Sequence, residues 1–148
     1  MEKKYEIDES QYKADFMICD GYIKFSSELL RLSLLAMGGF GALVLARLKG
    51  DGANFLERPG FFLTSMAFFA LCAGISLFHR FYASDSMSWY VSLLRAEKNG
   101  DQIKVEKEKK GLYKFLRRSE ISLIISEWLF GAGVLFFIIA IFDSFSKI

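Results

Sequence analysis

Three stretches of the chain stay apolar for long enough to cross a bilayer, whose hydrocarbon core takes roughly 20 consecutive helical residues. They are residues 29–48, 61–82 and 121–142. In the first, the run from Leu32 to Ala46 carries no charge, and Arg31 and Arg47 bracket it as snorkelling anchors. The second is free of charge until His79 and Arg80, and Pro59 stands just ahead of it, near a helix start, where proline costs little. The third holds one charge, Glu127, followed at once by Trp128.

The polar stretches between them also carry helical patterns. In residues 1–28, Tyr12, Phe16, Cys19 and Ile23 recur at helical spacing, and Asp8 with Gln11 has capping-box spacing, so an amphipathic helix is expected before span one. Residues 83–120 predict a helical hairpin that continues spans two and three and turns at Asn99-Gly100-Asp101. Met87, Tyr90, Val91 and Leu94 give its descending arm an apolar stripe. The returning arm is mostly Lys and Glu up to Lys110, then apolar at Leu112, Tyr113, Phe115 and Leu116, with Gly111 expected to break it in two. The fold class is therefore all-α: a single membrane domain over residues 1–148, with three transmembrane helices, an N-terminal amphipathic helix and a helical hairpin between spans two and three.

Composition strengthens the membrane reading. The chain is 53% hydrophobic with 16 phenylalanines, more apolar area than a soluble fold of 148 residues can hide. Residues 1–28 carry seven acids and no apolar stretch of signal-peptide length, so insertion is expected to use the internal spans. Total charge is nearly balanced, but its distribution is not. Residues 1–31 hold five basic residues and 80–118 hold ten, whereas the opposite side has Arg47, Lys49, Arg58 and Lys147 alone. Basic residues near spans are retained in the cytoplasm. The N-terminus and the hairpin are thus expected inside, the 49–60 loop and the C-terminus outside, in a membrane of the bacterial inner-membrane type. Seven acids before residue 29 face ten basic residues against five acids in 80–118, which favours packing the two segments together, with a solvated charged surface as the equal alternative.

Several groups are candidates for function. Ser65, Phe69, Cys72, Ser76 and His79 fall in one narrow sector of span two. Small groups there let another helix approach closely; alternatively the stripe lines a pore in which Phe69 is an apolar constriction that closes by dewetting. Gly38, Ala42 and Ala46 in span one and Gly131 in span three are small residues of the kind that mark helix contacts. Arg31 and Glu127 lie toward the same side and form a candidate intramembrane charge pair, with Glu28 as a competing partner for Arg31 and interfacial hydration or an ion pathway as alternatives for Glu127. Lys104, Lys107, Lys109, Lys110, Lys114, Arg117 and Arg118 form a basic cluster for a solvated helix face, anionic lipid or an anionic ligand, nucleic acid being the weakest of these.

Chemistry of other kinds finds little footing. One histidine, scattered carboxylates and no nucleophile-base spacing give no catalytic constellation, and no cofactor or metal is expected. Cys19 and Cys72 fall in contexts too different for a disulfide. Small-residue ridges on more than one span leave contact faces that one chain cannot use up, so a homo-oligomer in the bilayer is expected. The leading expectation is an oligomeric channel or pore-type effector gated through the hairpin. It resembles small membrane effectors of bacterial toxin and antiviral systems in layout, not in motif. The competing expectation is a non-conducting anchor or assembly subunit that docks a cytosolic protein; a holin and an intramembrane enzyme follow.

The topology is testable by cysteine labelling in intact cells, with Cys19 and Cys72 replaced by serine. A cysteine at Asn99 should be protected from an impermeant reagent and one at Asn54 should react. The reverse pattern would invert the orientation.

Overall fold

The computed structural model of the chain describes the backbone of residues 12–48 and 59–145, with side chains over 12–42 and 60–143. The expected Asp8 and Gln11 capping box, the 49–58 loop, the Ala46 side chain and Lys147 lie outside the described residues. What is described is almost wholly helical: α1 is Lys13–Leu48, α2 is Pro59–Lys98 and α3 is Gln102–Phe145, of 36, 40 and 44 residues. α2 and α3 are each long and apolar enough to cross a membrane.

Two expectations about helix breaks need correction. Residues 13–48 form one helix and not an amphipathic helix followed by a separate span. Nothing at the expected junction interrupts the backbone, and Ser26 and Ser27 there turn their hydroxyls onto the Ile23 carbonyl of the same helix, at 3.0 and 2.7 Å. Gly111, likewise, does not divide α3. Its missing side chain serves packing instead: a Cβ at Gly111 would lie 2.3 Å from the Trp89 ring.

The turn between α2 and α3 follows from its three residues. Gly100 has φ of +70°, the left-handed conformation that ends a helix at little cost only for glycine. The Gly100 N–H then donates to the Glu97 carbonyl and the Asp101 N–H to the Ala96 carbonyl, the paired bonds of a Schellman cap. Asp101 opens α3 by accepting the Lys104 N–H on its carboxylate at 3.1 Å.

α2 is the central helix. It packs most closely against α3, less extensively against α1, and α1 and α3 barely touch. The α2–α3 register is fixed by Ser65 beside Gly133, Cys72 beside Ser126 and Trp89 beside Gly111, so the two run antiparallel. Phe40 against Phe69 and Asp15 against Tyr90 set α1 antiparallel to α2 as well. Over the apolar runs of α2 and α3 the outer surface is apolar, with Leu71, Leu77, Phe78, Phe81, Trp128 and Leu135 all exposed. The interior carries much of the polarity there: among the described residues, nine buried ones are serines or His79, as many as are apolar.

Substitution at the two kinds of glycine separates these roles. Gly111→Ala should destabilise the detergent-solubilised protein by about 1–3 kcal/mol, because the Trp89 ring must move. Gly131→Ala has open space around it and should be neutral or stabilising by up to about 1 kcal/mol from helix propensity. Thermal unfolding of the two variants measures the difference; a loss at Gly131 would put a neighbouring molecule on that face.

Candidate functional site

The sector of α2 picked out by its spacing is the most buried part of the molecule. Ser65, Cys72 and Ser76 are fully buried, and Phe69 and His79 each retain 1% exposure. The stripe faces into the helix packing of its own chain. Ser65 donates its hydroxyl to the Gly133 carbonyl of α3 at 2.8 Å, and the Cys72 thiol donates to the Ser126 carbonyl at 3.2 Å. Bonds from a side chain to another helix's main chain require close approach, which only small residues permit. Phe69 fills the one wide layer, against Phe130 at 5.6 Å and Phe40 at 5.7 Å between ring centres. Gly133 makes room for it, since a Cβ there would stand 3.1 Å from the Phe69 ring. Phe40 also stacks on Phe137 at 3.8 Å, so all three helices meet in this aromatic layer.

Sequence reasoning saw only α2's share of this seam. Ser26 and Ser33 of α1 and Ser119, Ser122 and Ser126 of α3 are also buried. Their spacings, seven in α1 and three then four in α3, repeat those of the α2 stripe. That repetition was the available signal. Ser26, Ser86, Ser122 and Ser126 satisfy their hydroxyls on carbonyls three residues back in their own helices. Ser33 Oγ, Ser76 Oγ and His79 Nδ1 are buried with no hydrogen-bond partner.

The remaining candidates lie on the surface. Arg31 meets Glu28 at 3.7 Å with both side chains exposed, and Glu127 is exposed on α3, so no ion pair among the described residues joins Arg31 to Glu127. Gly38, Ala42 and Gly131 are exposed, with open space at both glycines. The basic cluster is exposed at every member. Lys110 pairs with Glu106 at 2.8 Å, an exposed pair whose lysine holds the Glu106 carboxyl below its ordinary value. Arg118 lies over the Tyr82 ring at 5.8 Å. By helical angle, Lys104, Lys107, Lys110, Lys114, Arg117 and Arg118 share one side of α3, whereas Lys109 falls away from it.

At the turn end, the α1 stripe docks on α2. Tyr12 and Phe16 set their rings edge-on to Tyr90 at 6.2 and 6.0 Å, and the Tyr90 hydroxyl donates to the Asp15 carboxylate at 2.7 Å. Burial, joined by that bond and the Asp15 charge, pushes the Tyr90 phenol up to about 12 from 10. Burial, with Asp15 adding to it, also raises the Cys19 thiol, so this cysteine is a poor nucleophile.

A phenol raised in the folded state stabilises fully below its ordinary value and loses that contribution as pH climbs through the raised one. Phenolate absorbance, assigned by its loss in Tyr90→Phe, should therefore show Tyr90 ionising near pH 12, with the α1–α2 contact loosening between pH 10 and 12. Asp15→Asn should bring that ionisation down. A Tyr90 signal that does not move in Asp15→Asn would rule out the Tyr90–Asp15 bond.

Comparison with protein-family models, with curated proteins and with solved structures finds no match to this chain, which leaves its geometry as the guide to function.

Proposed function

We propose that the protein is a three-span membrane anchor whose work is done by the α2–α3 hairpin, held on the cytosolic side as a docking element for a partner protein. In this reading residues 29–48, 61–82 and 121–142 cross the bilayer of a bacterial inner membrane, with the N-terminus inside and the C-terminus outside, as the fifteen-to-four division of basic residues favours. The observation that carries the reading is that the polar sector of α2 is consumed by packing within one chain. With Ser65 and Cys72 bonded to α3 and Phe69 enclosed by Phe40 and Phe130, the Ser65–His79 sector of α2 faces its own chain and not an axis between subunits. Beyond the membrane, both helices of the hairpin run on unbroken and present exposed charge, with Ile103 and Tyr113 as exposed apolar points of contact.

A second reading, the homo-oligomeric channel gated through the hairpin, is favoured by a different observation. Gly38, Ala42 and Gly131 face outward with room for a neighbouring helix, the surface that a ring of copies would use. Its conducting path would have to run elsewhere than along the Ser65–His79 stripe.

Ion flux through liposomes separates the two. Purified protein should conduct no more than protein-free vesicles, and Phe69→Ser should add no selective flux even where it lowers stability by several kcal/mol, roughly as loss of a buried aromatic does. In cells, a photo-crosslinking residue at Tyr113 should give one adduct of defined mass while one at Leu135 should capture lipid. Ion-selective conductance from folded wild type would transfer the conclusion to the channel.

A further inference from the structure

Most polar groups in the interior have partners, and the exceptions fall in one place. Four seam serines turn to their own helices and Ser65 and Cys72 turn to α3. Ser33 Oγ and Ser76 Oγ do neither, and the buried His79 Nδ1 likewise has no hydrogen-bond partner among the described residues. The register assigns their neighbours. Cys72 stands beside Ser126 and Trp89 beside Gly111, so His79, two turns along from Cys72, is level with Ser119 of α3. Asp15 beside Tyr90 and Phe40 beside Phe69 bring Ser26 to within about a turn of that level from α1, and Ser33 to between the levels of Cys72 and Ser76. At ~1.5 Å per residue the three unpartnered groups are spread over about 5–10 Å of the bundle axis. Toward the far end the Phe40, Phe69, Phe130 and Phe137 layer separates these groups from Ser65, which is bonded to Gly133.

Leaving a buried polar group unpaired is unfavourable, and a neutral imidazole always has one nitrogen that needs a donor and one that needs an acceptor. Buried water characteristically joins such groups, making about three hydrogen bonds each. We propose that Ser33, Ser76 and His79 form an internal water-binding site, a short file of hydrogen-bonded water entered from the turn end and closed off by the aromatic layer. Ser76 lies one turn from His79 on the same face of α2 and is the first hydroxyl to bridge to the ring; Ser33 takes the file across to α1. The charges close to it along the three helices, Arg31, Arg80, Arg118, Glu120 and Glu127, are all exposed, so the site itself is uncharged and selects for a small neutral molecule that both donates and accepts. This inference rests on the three-span reading for its lipid surroundings and not on any docking partner.

The chain has one histidine, so in a uniformly labelled sample the imidazole signals belong to His79 alone and the other side chains serve as references. In proteoliposomes, magnetisation from water should reach the His79 ring as quickly as it reaches an exposed side chain at the turn end. Ser76→Ala should slow that transfer several-fold with the rest of the spectrum unchanged. A wild-type ring that receives no magnetisation from water, or whose Nδ1 signal ignores exchange into heavy water because a seam hydroxyl bonds it directly, overturns the proposal without recourse to a variant. Water reaching Leu77 and Phe78 as readily as His79 would instead be failure of the membrane reading, because those side chains point outward.

Discussion

Everything in this bundle depends on how closely α2 approaches α3. Side chains of one helix donate to main-chain carbonyls of the other, at Ser65 to Gly133 and Cys72 to Ser126, and that distance tolerates nothing larger than a hydroxymethyl or thiol between the backbones. Lipid supplies no hydrophobic drive for helices to associate, so small residues, van der Waals contact and such bonds have to do it. The same requirement explains the inverted composition, with serine inside and leucine and phenylalanine outside. Where bulk has to be accommodated, glycine gives way on the partner helix: Gly133 for Phe69 and Gly111 for Trp89.

Much of this was legible from residue spacing, and the failures have physical causes. The extent of α2 and α3 and the turn at Gly100 follow from hydropathy and turn chemistry, because those signals are local. The α2 sector stood out, yet spacing alone cannot say whether a small-residue face meets a helix of the same chain or of another. Gly111 misleads for a related reason: glycine's low helix propensity is a local tendency, and the seating of Trp89 against it is a tertiary fact. Arg31 illustrates a third case, in which a partner three residues away, Glu28, is reached more cheaply than one on another helix.

The two ends of the bundle are held by different chemistry. Near the far end, aromatic rings from all three helices interlock, Phe40 and Phe137 stacking at 3.8 Å, and Phe68 on Phe136 at 5.4 Å widens the α2–α3 contact. Near the turn, α1 is secured to α2 by the Tyr12, Phe16 and Tyr90 cluster with a single hydrogen bond to Asp15 at its edge. Stacked rings enclosed among helices are indifferent to salt and pH. A phenol-to-carboxylate bond at an exposed edge is not, so α1 is fastened at the turn end by the more responsive of its two attachments.

The absence of any break in α2 or α3 gives the molecule a mechanical property. A helix of 40 residues at ~1.5 Å per residue is a rod of about 60 Å, and two such rods packed along their length resist bending far better than either alone. Force applied at the Asn99 tip is therefore transmitted as tilt of the whole pair, not absorbed at a hinge: a lean of about 5° over a 60 Å rod carries its end sideways by roughly 5 Å. The pair is a lever arm, in which a displacement at the tip reappears at the other end of the bundle.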